Sequence, residues 1–113
     1  MYITQKGAEN YTLPVIFHVL YNDQNNSSQY IPQTRIAEIL DKVNTLYKNS
    51  NIGVTFKLAD TAPLGKTMSG NGVEYIRWNT MPIDCDKMMS DSTGLYKQYL
   101  WDPNTYINVM VYN

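Results

Sequence analysis

At 113 residues and 13.0 kDa the chain is one domain or part of one, long enough to bury roughly two thirds of its unfolded surface around a single core. Nine Lys+Arg against ten Asp+Glu leave a formal charge of -1. The charges are scattered, which excludes the basic patch of a nucleic-acid binder and the acidic tail of a disordered chain. Ten tyrosines, two tryptophans and 43% hydrophobic residues describe a foldable globular domain. No apolar run reaches the ~18 residues that a membrane span needs. The opening MYITQKG lacks the charged and apolar regions of a signal peptide. Either the protein stays in the cytosol or its export signal lies outside this sequence.

Met1 to Asn10 is polar, with Tyr2 and Ile3 able to add to a sheet edge. A strand is predicted over about Thr12 to Tyr21, containing LPVIFHVLY. Leu13, Val15, Phe17, Val19 and Tyr21 fall on one face of it, with Ile16, His18 and Leu20 on the other. Both faces are apolar, the pattern of a strand in the middle of a sheet covered on both sides. Pro14 is tolerated near the strand's start. The polar run Asn22 to Ser28 is loop chemistry.

Ile36, Ile39, Leu40, Val43, Leu46 and Tyr47 form one stripe at helical spacing and predict an amphipathic helix over Gln33 to Asn49. Pro32 suits its first turn, and Arg35–Glu38 and Glu38–Lys42 are spaced for weak surface pairs. Lys48 complements the helix dipole, and Asn49, Asn51 and Gly53 are stop signals. Val54, Phe56 and Leu58 alternate with Thr55 and Lys57, giving a half-exposed second strand. Strand, helix and strand make a βαβ unit, so a right-handed crossover and parallel strands are expected.

Ala62 to Gly72 is turn-rich, and GVEYIRW from Gly72 predicts a short strand. A short helix is expected from about Ser92 to Leu100, stopped by Asp102-Pro103. Tyr106, Ile107, Val109, Met110, Val111 and Tyr112 complete a third strongly apolar strand. Its arrival at the end of the sequence suggests that a longer protein continues beyond it.

The chemistry available is sparse. With one His and one Cys, the chain does not hold the three or four ligands of a zinc site by itself. His18 reads as a core imidazole hydrogen-bonded to backbone or a nearby polar group, since a catalytic role requires a partner that the sequence does not identify. Cys85 forms no disulfide within the chain. A buried thiol and a bridge to a cysteine beyond the chain are both open. Asp84, Asp86 and Asp91 lack the glycine and terminal glutamate of an EF-hand and read as loop solvation and capping. Gly65, Gly70 and Gly72 make no phosphate-binding pattern, and there is no GxSxG elbow. Trp78 and Trp101 read as packing, with a groove for glycan or peptide as the other possibility. No catalytic, cofactor-binding or metal residues are assigned within the chain.

Four stretches resemble the N-terminal part of the catalytic domain of pappalysin-type (cytophagalysin) metzincin zinc metallopeptidases. These are YTLPVIFHVLYND from Tyr11, RIAEILDKVNTLYK from Arg35, GVEYIRW from Gly72 and YLWDPNTYINVMVYN from Tyr99. Within that family the chain is most similar to the exported lipoproteins of gut-type bacteria. The resemblance implies an α/β (α+β) fold, a partial metzincin-like N-terminal subdomain. It has a mostly parallel twisted sheet, a right-handed βαβ unit and one long backing helix. In the family an active-site helix carrying HExxHxxGxxH follows, supplying the zinc histidines and the general-base glutamate. With His18 as the sole histidine, that motif maps onto no position here. Residues 1–113 are therefore expected to be a single scaffold subdomain of an extracellular or cell-surface zinc endopeptidase, with zinc absent from this chain. A stand-alone module that binds protein or glycan through Tyr and Trp is the alternative, and an enzyme of another type is a third reading. If the last strand normally pairs on both sides, Tyr106 to Tyr112 exposes an edge open to self-association, or to rescue by the N-terminal segment.

Overall fold

A computed structural model describes residues 10–78 and 99–112. Its elements in chain order are β1 (Tyr11–Tyr21), α1 (Gln33–Asn49), β2 (Val54–Leu58), β3 (Val73–Arg77) and β4 (Ile107–Val111). The four strands form one sheet in which β2, β3 and β4 each pair with β1 in parallel, so the fold is mixed α/β with a single described helix. The expected βαβ pairing of β1 with β2 is present.

The registers fix where each strand lies. Val15 is paired with both Leu58 of β2 and Ile107 of β4, and Phe17 with both Val73 of β3 and Val109 of β4. A strand has two edges, so β4 occupies one and β2 and β3 share the other, end to end. Among the described residues the sheet is three strands wide, with β1 in the middle. Between β2 and β3 the chain loops out and returns at Gly72. Its N–H donates to the Ala59 carbonyl (2.7 Å), and its own carbonyl accepts from Phe17 N–H (2.7 Å). Gly72 has φ +71°, and a Cβ there would lie 2.5 Å from Leu58 Cδ2 and 2.7 Å from Leu58 Cβ. Only glycine fits both the left-handed backbone and the close approach.

The predicted two-faced burial of β1 is observed. On one face Val15, Phe17 and Val19 pack with Ile36 and Leu40 of α1 and Val73 of β3. On the other, Ile16 packs with Ala59 and Trp101, and Leu20 with Ile76. Ile16, Val19 and Leu20 are wholly buried, each contributing on the order of 1.5–3 kcal/mol.

Helix α1 has the predicted bounds, with differences in detail. Pro32 is the residue before the first turn (φ −69°, ψ 150°) rather than within it. Asn51 takes a left-handed conformation (φ 56°). Asn51 N–H reaches Lys48 O at 3.1 Å and Ile52 N–H reaches Tyr47 O at 3.0 Å, closing the helix in a Schellman motif. Of the six-residue stripe only Ile36 and Leu40 are buried. Ile39 and Leu46 are exposed. Glu38 pairs with Arg35 (3.3 Å), and among the described residues Lys42 makes no ion pair.

The expectations for Tyr2, Ile3, Cys85, Asp84, Asp86 and Asp91 fall outside the described residues, as does the short helix apart from its last two positions. Tyr99 and Leu100 are not helical. No described helix is long and apolar enough to cross a membrane.

Candidate functional site: a buried polar cluster on the central strand

The apolar row Ile16, His18 and Leu20 puts one imidazole into the core, where it is wholly buried. Parallel pairing sets Glu74 of β3 directly opposite His18, and brings Asn108 of β4 alongside from the other edge. His18 Nδ1 lies 3.1 Å from Glu74 Oε1, and His18 Nε2 lies 2.8 Å from Asn108 Oδ1. The second carboxylate oxygen of Glu74 accepts from the Thr67 hydroxyl at 2.7 Å. Asn108 is held in turn by the backbone of Trp101: its Oδ1 accepts Trp101 N–H and its Nδ2 donates to Trp101 O, both at 2.9 Å.

The Asn108 atom facing Trp101 N–H must be its oxygen, so the ring nitrogen facing that oxygen must donate. On the other side Nδ1 faces a carboxylate. Burial pushes the Glu74 carboxyl up, but hydrogen bonds from His18 and Thr67 and the charges of His18 and Lys66 outweigh it, leaving the group below its usual value. Glu74 is therefore ionised at neutral pH and accepts from His18. His18 and Glu74 lie within ion-pair distance in the core, with both imidazole nitrogens and both carboxylate oxygens engaged.

This arrangement ties β1, β3, β4, the loop at Thr67 and the segment at Trp101 together. It does not suit acid–base catalysis. A carboxylate-oriented histidine acts through its other nitrogen, which here is bonded to Asn108 and sealed beneath Trp101, whose ring stands edge-on to the imidazole at 6.5 Å. The sequence reading of His18 as a satisfied core imidazole is thus observed, with side chains as its partners on both sides. Glu74 and Asn108 were missed. Asn108 is the one polar residue within β4, INVMV, and Glu74 the one carboxylate in β3, VEYIR. Polar interruptions on the same sheet face as a buried histidine are the signal that identifies them.

The other sequence candidates separate. Trp101 is wholly buried, packed edge-on to Tyr106 at 5.0 Å, so it lines no groove. Among the described residues its Nε1 has no hydrogen-bond partner. Trp78 is half-buried against Tyr99. Gly70 and Gly72 serve the turn entering β3, where Gly70 N–H and Ser69 N–H both reach Val73 O. Among the described residues no three His, Cys, Asp or Glu side chains are grouped to hold a metal. Comparison with known proteins finds no matching family model, no matching curated protein and no matching solved structure.

Proposed function

We propose that this chain is the non-catalytic N-terminal scaffold of a secreted or lipid-anchored zinc endopeptidase of the pappalysin type. Its parent hydrolyses peptide bonds in peptide or protein substrates through a zinc-activated water. The observation that carries the reading is the position of LPVIFHVLY. It is the middle strand of a parallel sheet, with a long helix on one face and the late strand INVMV along its free edge, in the chain order the resemblance requires. His18, enclosed by Glu74 and Asn108, is committed to the core, so the zinc ligands come from another part of the parent. In this reading the segment Tyr106 to Tyr112 is also the edge through which residues 1–113 associate with another strand.

The test compares the full-length gene product with residues 1–113 on a mixed peptide library, with and without a zinc chelator. Chelator-sensitive cleavage by the full-length protein and none by residues 1–113 is expected. Cleavage by residues 1–113, or none by a folded full-length protein loaded with zinc, overturns the assignment.

A further inference from the structure

The two edges of the sheet are finished differently. In a parallel strand alternate residues direct their backbone groups to opposite edges. On β2, Gly53 O and Ala59 N bond to β1, so Phe56 points its backbone outward. There the Asn44 side chain meets it as a strand would: Asn44 Nδ2 donates to Phe56 O and Phe56 N donates to Asn44 Oδ1, both at 2.8 Å. On β3, Gly72 O and Trp78 N bond to β1, so Val73 and Tyr75 point outward. Val73 O accepts from Ser69 and Gly70, and Tyr75 N–H donates to Ser69 Oγ at 3.1 Å. Side chains and a turn therefore occupy Phe56 N–H and O, Val73 O and Tyr75 N–H on this edge. On β4 the register directs the backbones of Asn108 and Met110 outward, and among the described residues nothing caps them.

We propose that β4 pairs antiparallel with β4 of a second copy of this chain, about a two-fold axis at Val109, and that assembly stops at the dimer. The register follows from which groups are free. Asn108 of each copy opposes Met110 of the other, each such pair exchanging both N–H···O bonds, while the two Val109 residues face one another as a non-hydrogen-bonded pair. A second copy is the fitting occupant because the segment Asn104 to Tyr112 carries no charged residue. Two identical segments meet there without the like-charge repulsion that guards many edges. Ile107, Val109 and Val111, partly buried on the α1 face, gain apolar neighbours across the axis. The contact is isologous and uses the β4 edge of both copies, while Asn44 and Ser69 interrupt the opposite edge at Phe56, Val73 and Tyr75, so a closed dimer forms rather than a filament. This rests on edge geometry and not on the peptidase reading; mass and peptide cleavage are measured separately.

Sedimentation equilibrium of residues 1–113 over a hundredfold concentration range tests it. A mass rising from 13.0 kDa to about twice that is expected. Met110→Pro removes the outward-facing donor together with the Met110 side chain's packing against Leu20 and Ile76, leaves the β1 bonds in place and should hold the mass at the monomer value. Asn44→Ala reopens the β2 edge and should give species larger than a dimer. Should Met110→Pro fail to fold, amide exchange of the unaltered protein decides: protection of Asn108 and Met110 N–H must rise with concentration. A monomer throughout, or slow exchange of those amides in the monomer, which would mean that another segment covers the edge, overturns the proposal. So does a wild-type chain that forms assemblies beyond the dimer.

Discussion

Replacing Glu74 two ways separates a buried ion pair from a merely polar contact. In Glu74→Ala the imidazole loses its anion and Thr67 its acceptor. Removing one partner of a buried pair costs about 3–5 kcal/mol. The Glu74 side chain keeps 12% of its surface exposed, which places the expected loss near the lower figure, about 3 kcal/mol. Glu74→Gln has a way out: its carbonyl oxygen accepts from Thr67 while its NH2 donates to Nδ1. His18 Nδ1 then accepts, and Nε2 still faces Asn108 Oδ1. Every hydrogen bond is retained and the expected cost is about 1 kcal/mol. The difference of about 2 kcal/mol corresponds to roughly 8 °C in Tm for a domain of this size. The pH dependence carries a second signature. The wild-type carboxyl titrates below its ordinary value of 4.5, so its contribution is fully present above that value and is lost as pH falls through the lowered one. Glu74→Gln removes that acid loss. Urea unfolding of the three proteins at pH 7 and through the acid range measures both. Equal costs for Ala and Gln, or an unchanged acid limb in Glu74→Gln, would refute the ion pair.

Three further outcomes are expected. Gly72→Ala forces a Cβ against Leu58 and a left-handed alanine, and should cost more than about 2 kcal/mol by denaturant unfolding; a change under about 0.5 kcal/mol contradicts the close approach. Trp101→Phe gives up buried area but removes a buried N–H with no partner among the described residues. Its cost should stay below about 2 kcal/mol, against about 3–5 kcal/mol for Trp101→Ala, and equal losses would mean the indole N–H is satisfied. Calorimetric titration of residues 1–113 with zinc should detect no submicromolar site; such a site, lost in His18→Gln, would overturn the structural account of His18.

Local pattern accounts for what the sequence made legible. The alternation in LPVIFHVLY and the helical stripe from Ile36 to Tyr47 are set by residues within a few positions of one another, and the bounds of α1 and the centrality of β1 follow from them. The shared edge of β2 and β3 was not legible, because it depends on where the chain returns after the loop at Gly72. The exposure of Ile39 and Leu46 depends on what packs across α1, which no single element encodes. His18 was readable as a satisfied core residue, but its partners are 56 and 90 positions away, brought together by register alone. Nothing in the local pattern singles out Asn44 or Asn108. Each pairs its side-chain amide with both backbone groups of a distant residue, Phe56 and Trp101 respectively.

Residues 1–113 are proposed to be the scaffold half of a zinc peptidase. Reading the next hundred or so codons of the gene tests that proposal most directly. The account predicts an in-frame continuation carrying HExxHxxGxxH on a helix-forming stretch. A stop codon directly after Asn113, or a continuation without that motif, contradicts it.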